Sequence, residues 1–255
     1  MPRHIIFSAV GTSSSTQTNY RELGNRIATA FPDCTFHYHF TSPAARKKLA
    51  AEDPGELHTL VDTLELKANQ PLILQSLHII AGSEFHQLVR QATALDQSYQ
   101  IGLPLLSEPA DFEALSQCLE PVITTYPDLP LILLGHGTEH PSWSAYPTLE
   151  NVLQNRYGKE IYVRGLEKNP RPETLLTQLK NRNITRVAVI PFLLVTGVHY
   201  QRDITGDHPT SWKNRLGNLG IEMIVHQDGL AHLNGIEDVY ISHIKAAIKS
   251  ALGRW

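Results

Sequence analysis

Short runs of aliphatic and β-branched residues alternate along this chain with longer segments whose apolar positions recur every three or four residues. The short runs are HIIFSAV (4–10), CTFHYHF (34–40), PLILQSL (71–77), QIGLPLL (100–106), PLILLG (130–135), EIYVRGL (160–166), RVAVIPFLLV (186–195) and IEMIVH (221–226). Their near-continuous apolar character predicts strands covered on both faces, as in parallel sheets. The longer segments NYRELGNRIATAF (19–31), ELHTLVDTLELKA (56–68), EFHQLVRQATAL (84–95), YPTLENVLQNRY (146–157) and RPETLLTQLKNR (171–182) predict the intervening helices. Strand and helix in alternation give an α/β fold built from βαβ units. A last amphipathic segment, 236–252, carries an apolar stripe that must be covered, either by packing back on the N-terminal domain or by a homo-oligomeric contact.

The two halves echo one another. VGT (10–12) and HGT (136–138) each follow an aliphatic run, and LQSLHIIAGSEF (74–85) matches VIPFLLVTGVHY (189–200) in its apolar run, glycine and polar pair. In this register Val10 stands opposite His136, and Glu84 opposite His199. The expectation is a duplicated α/β domain, the copies related by a pseudo-twofold axis with an active-site cleft between them. TTYPDLP (124–130) breaks the pattern, which sets the domains at 1–126 and 127–255. Parallel sheets take their ligands beyond the carboxyl ends of the strands, so the chemistry is to be sought there.

Composition narrows the partners more than the fold. With 22 basic and 25 acidic side chains the net charge is −3, which offers no footprint for nucleic acid or for an anionic membrane. The longest apolar segment, 187–198, is far shorter than a membrane span, and the N-terminal apolar run is too short for a signal peptide. The two cysteines, Cys34 and Cys118, lack metal-binding or disulfide spacing, which fits a reducing, cytoplasmic setting. GxSxG, Walker and GxGxxG patterns are all missing, so neither a serine nucleophile nor a nucleotide is expected. Thirteen histidines remain, and position must decide among them.

Three strand ends in the second half carry groups that bind metals or move protons: Gly135-His136-Gly137, Glu167 after the sixth run, and Thr196-Gly197-Val198-His199. Two imidazoles and a carboxylate make an incomplete coordination shell suited to a borderline divalent ion such as Co²⁺, Ni²⁺, Fe²⁺ or Zn²⁺. Taken singly, each has a plainer reading, as a turn histidine, a helix cap and a loop histidine. Gly135 and Gly137 give the backbone the freedom to turn sharply and let a ligand approach the main chain. The serine run 13–15 after the first strand suits an anion.

The segments SAVGTSS, FTSPAARKKL, LQSLHIIAGSEF, IGLPLLS, LLGHGTEH, LLVTGVHYQRDITGD and SWKNRLGNLGI, in this order, resemble the anaerobic cobalt chelatases, the single-subunit class II sirohydrochlorin cobaltochelatases. The resemblance implies two flavodoxin-like domains and ATP-independent insertion of Co²⁺ into sirohydrochlorin during cobalamin synthesis, with no nucleotide cofactor. It carries the family's site onto His136, Glu167 and His199 as catalytic and metal-binding residues, Co²⁺ being the substrate metal and Fe²⁺ or Ni²⁺ the alternatives. Sirohydrochlorin is a polycarboxylate, so its rim needs local donors: Gly11, Thr12, Ser13 and Ser14, with Gly135 and Gly137 beside the metal and His78 and Glu84 on the opposite wall. Two other functions stay open at this point: a sirohydrochlorin ferrochelatase for siroheme, and a protein that binds a tetrapyrrole or metal without turnover.

Overall fold

The computed structural model describes residues 4–11, 18–42, 45–47, 51, 72–94, 99–166 and 168–252. In chain order they form β1 (His4–Ala9), α1 (Thr18–Ala28), β2 (Thr35–Phe40), β3 (Leu72–Ser76), α2 (Ser83–Thr93), β4 (Tyr99–Gly102), α3 (Pro109–Cys118), α4 (Glu120–Thr125), β5 (Leu131–Gly135), α5 (Ala145–Tyr157), β6 (Ile161–Gly165), α6 (Glu173–Asn181), β7 (Arg186–Pro191), α7 (Trp212–Gly217), β8 (Glu222–Val225) and α8 (Ile236–Leu252). Two four-stranded sheets result, β2-β1-β3-β4 and β6-β5-β7-β8, and every pairing in both is parallel. The α/β class and the parallel sheets expected from the alternating pattern are both present. The expected helix at 56–68 lies outside the described residues.

The chain divides into two compact units, residues 1–107 with 235–255 and residues 108–234. The sequence pattern suggests a junction at 126/127, whereas the units part at 107/108. The difference lies in α3 and α4, which the pattern does not mark as helices. A reciprocal cap between Glu108 and Asp111, with Pro109 at the first helical position, starts α3. That helix then packs on α5, where the Tyr157 hydroxyl donates to the Ser116 carbonyl at 2.7 Å.

In the first unit β1 and β3 are buried throughout, and Ile6, Leu72, Leu74, Leu88 and Ala92 form one apolar cluster. The closing helix α8 packs on α1, β3 and β4 of this unit, with Ile236, Tyr240 and Ile244 inaccessible to solvent. Its His243 meets the Leu103 carbonyl at 3.0 Å, and its Glu237 pairs with Arg26 at 3.3 Å. The apolar stripe of 236–252 is therefore covered within the first unit.

In the second unit the strand pattern overruns the sheet at one instructive place. The apolar run 186–195 predicts one long strand, yet β7 stops at Pro191. The next four side chains stay buried while their backbone turns to other partners: Phe192 N–H donates to Leu134, and the carbonyls of Leu193 and Leu194 accept from Leu230 and Ala231. This detour delivers residues 196–199 beyond the carboxyl end of β7. No helix among the described residues is long and apolar enough to cross a membrane.

Candidate metal-handling site

Strand β5 lies between β6 and β7, so residues leaving β5 and β7 emerge side by side. His136 follows the last residue of β5, and His199 follows the turn after β7; both are exposed. Their rings meet edge to face, with centres 4.6 Å apart and planes at 85°. Two imidazoles that share one ion at about 2.1 Å per nitrogen place their ring centres roughly 4.5–5.3 Å apart, according to the bond angle at the metal. The observed spacing falls in that range.

The glycines around His136 have a local structural task. Gly137 adopts φ +71°, and its N–H donates to the hydroxyl of Tyr146 at 3.2 Å. At Gly135 a Cβ would stand 2.4 Å from that same hydroxyl and 3.1 Å from the Phe192 carbonyl. The space opened by the missing side chain at Gly135 is thus filled by Tyr146 from α5. Burial pushes the Tyr146 hydroxyl up to about 12, the Gly137 N–H working in the opposite direction, so it is a neutral strut at any physiological pH.

Glu167 lies outside the described residues. The chain on either side of it is tied to the β5 exit: Leu166 N–H donates to Gly135 at 2.8 Å, and Thr138 N–H donates to Asn169 at 3.1 Å. Among the described residues no group of three or more histidine, cysteine, aspartate or glutamate side chains is arranged to hold a metal ion. Of the three strand-end residues singled out in the sequence, the described ones, His136 and His199, are in contact.

The turn that carries His199 brings one contact that the pattern of the sequence does not reveal. Residues Tyr200–Ile204 form a single π-helical turn, closed by Thr205 N–H to the Tyr200 carbonyl at 3.0 Å and anchored by Ile204, which is fully buried. Asp203 then faces back, and its Oδ2 lies 2.6 Å from His199 Nδ1. Arg202 donates to the same carboxylate, Nε to Oδ1 at 2.6 Å and Nη2 to Oδ2 at 3.0 Å. Burial works to raise the Asp203 carboxyl, but the hydrogen bonds from Arg202 and His199 outweigh it and hold the group below the usual carboxylate range.

The remaining sequence-derived residues fall in the first unit. Gly11 has φ +80°, and a Cβ there would collide with Ala45 and Phe40 at 2.8 Å. Thr12, Ser13 and Ser14 lie outside the described residues. Glu84 is exposed in the first turn of α2. His78 is 8% exposed, its Nδ1 lies 2.8 Å from Ser76 Oγ, and its Nε2 is buried with no hydrogen-bond partner among the described residues. Burial, with a further contribution from His39, depresses His78 to about 4, which makes it a neutral imidazole.

A profile described as cobalt chelatase (CbiK) matches residues 3–249. The chain belongs to the cobalt chelatase family. Two of the relatives to which it is similar are named as sirohydrochlorin cobaltochelatases. The sirohydrochlorin cobaltochelatase CbiKC of Nitratidesulfovibrio vulgaris is 28% identical over 256 residues, spanning 96% of this chain and 90% of the relative. The sirohydrochlorin cobaltochelatase of Salmonella typhimurium is 28% identical over 262 residues, spanning 99% and 98%. The fold of this cobalt chelatase is also similar to that of SirB from Bacillus subtilis, solved with Fe³⁺, at a TM-score of 0.65 and 13% identity, covering 100% of this chain and 98% of that one.

Proposed function

We propose that this member of the cobalt chelatase family inserts Co²⁺ into sirohydrochlorin, without ATP, as a step of anaerobic cobalamin synthesis. The observation that carries the reading is the edge-to-face contact of His136 and His199 at neighbouring strand ends. Insertion exchanges one Co²⁺ for the two pyrrole N–H protons of the macrocycle, so the site must strip water from the ion, hold it beside the ring and accept protons. Neutral imidazoles are borderline ligands that displace water from Co²⁺, and with an ordinary pKa near 6.5 they also serve as proton acceptors around neutral pH. His136 and His199 hold the ion on one side of the macrocycle, and Glu167 adds a third donor or takes a pyrrole proton. The same donor types also suit Fe²⁺, whose product would be siroheme, and Ni²⁺, and these are the alternative metals. On the substrate side, the backbone around Gly135 and Gly137 and the groups of Gly11, Thr12, Ser13, Ser14, His78 and Glu84 are assigned to the tetrapyrrole.

Anaerobic absorbance spectra of sirohydrochlorin with Co²⁺ and catalytic amounts of protein test the reading. Wild type is expected to accelerate formation of the cobalt product over repeated turnovers, and His136→Ala and His199→Ala to lower the rate at least about 100-fold, as loss of a group that both holds the metal and moves protons should. A rate no higher than that of metal and tetrapyrrole alone rejects the chelatase reading. Parallel runs with Fe²⁺ and Ni²⁺ rank the metals. One equivalent of product per protein would instead favour a carrier that binds without turnover.

A further inference from the structure

His199 keeps 47% of its side chain exposed, a setting in which an imidazole ordinarily rotates and exchanges its proton between Nδ1 and Nε2. Here a contact with Asp203 at 2.6 Å restrains both. Asp203 is only 13% exposed, and its carboxylate is clamped by the neighbouring Arg202 through both oxygens. The backbone beneath it is fixed by the π turn and by Ile204 in the core. A carboxylate in this state only accepts hydrogen bonds, so the nitrogen 2.6 Å from it, His199 Nδ1, must be the donor.

We infer that Asp203 is a positioning residue for metal capture: it locks His199 in the Nδ1–H tautomer and so reserves the Nε2 lone pair for the incoming ion. This rests on the reading of His199 as a metal ligand given above. Asp203 is not itself offered as a ligand, since both of its oxygens are engaged by Arg202 and His199. The carboxylate also polarises the ring and raises the basicity of Nε2, as partners of metal-bound histidines do. Without it, a share of His199 rings would carry their proton on Nε2 and hold their lone pair on Nδ1 instead, and the ring would have to be ordered at each binding event.

The decisive variant is Asp203→Asn, which keeps size and hydrogen-bonding capacity but can offer its NH₂ to Nδ1 and so permits the opposite tautomer. Three measurements are made on the full chain, with His199→Ala alongside. Two-bond ¹H–¹⁵N spectra of the histidine rings, with the His199 signals found by their loss in His199→Ala, should show the Nδ1–H tautomer in wild type and a mixture in Asp203→Asn. Anaerobic Co²⁺ titration without tetrapyrrole, followed by the visible cobalt bands, should show affinity weakened roughly 10- to 100-fold. Steady-state chelation should show that KM for Co²⁺ rises by more than kcat falls. Asp203→Glu, which restores a carboxylate, should recover part of the affinity.

The outcomes separate the two readings. If wild type binds Co²⁺, His199→Ala does not, and Asp203→Asn matches wild type in tautomer, affinity and KM, the role of Asp203 is rejected while the metal site stands. If His199→Ala binds Co²⁺ as wild type does, the ligand assignment itself is wrong. Circular dichroism and thermal melts of each variant keep a folding defect from passing for either result.

Discussion

Gly137 and Tyr146 form a contact that recurs in the other half of the chain as Gly11 and Tyr20. Both glycines have positive φ, at +71° and +80°, and each donates its N–H to the hydroxyl of the buried tyrosine on the following helix. Each tyrosine ring also packs against a phenylalanine, Tyr146 edge to face on Phe192 and Tyr20 tilted on Phe40, with ring centres 5.7 Å and 5.6 Å apart. The contact holds the turn that exposes His136, so its loss should be felt in stability and at the site together. Tyr146→Phe removes one buried hydrogen bond and should cost about 1 kcal/mol in urea denaturation. Gly135→Ala should cost more, because its Cβ would stand 2.4 Å from the Tyr146 hydroxyl. In the Tyr146→Phe background that penalty should shrink, since the nearest clashing atom is gone; strictly additive losses would show that the two positions do not share this space.

At the scale of elements, the carboxyl ends of β1, β2 and β3 carry a row of buried polar groups. Ser8 on β1 pairs in register with His39 on β2 and Ser76 on β3, and the Ser8 hydroxyl lies 2.9 Å from His39 Nδ1. Burial, aided by Arg46, depresses His39 to about 4, and His78 is depressed to the same value. Unfolded histidines take up protons near pH 6.5 while these two stay neutral, so their contribution is complete above about pH 6.5 and is lost as the pH falls towards 4. On the order of 3 kcal/mol per histidine is at stake. The urea midpoint should drop steeply between pH 6.5 and 4.5, and His39→Asn should make the drop shallower. A flat profile across that interval would mean that these rings are hydrated in the native state.

Strand ends of this kind were the most legible part of the sequence, because apolar runs that stop at glycine or serine mark where a parallel sheet gives way to a loop. The pairing of His136 with His199 was legible for the same reason: once both runs belong to one sheet, their ends are neighbours. Asp203 was not, since its meeting with His199 depends on a π turn, and no spacing of apolar residues announces one. Nor were α3 and α4, where Pro121 interrupts a pattern that is helical on either side. That Gly135 leaves room for the Tyr146 hydroxyl also needed coordinates, since no spacing along the chain points to that tyrosine.

Across the whole molecule, the two sheets share one strand order, centre strand first, and the Gly–Tyr contact occupies matching places in both. The chemistry does not repeat: Val10 stands where the second half has His136. Chain connectivity is unequal as well, because residues 108–234 form one unit, and the other needs residues 235–255 to be complete. Removing everything after residue 234 should therefore leave the second unit protected in hydrogen-exchange mass spectrometry while β3 and β4 lose protection, their cover of Tyr240 and Ile244 being gone. Equal protection of both sheets in the truncated chain would show that α8 is dispensable. On a ribosome the same arrangement sets a timetable. The sheet of β1 to β4 must wait, uncovered along α8's place, until α8 emerges, whereas the half that carries His136 and His199 has its described parts in hand earlier. The half that carries His136 and His199 can thus close first, although it is the second to be encoded.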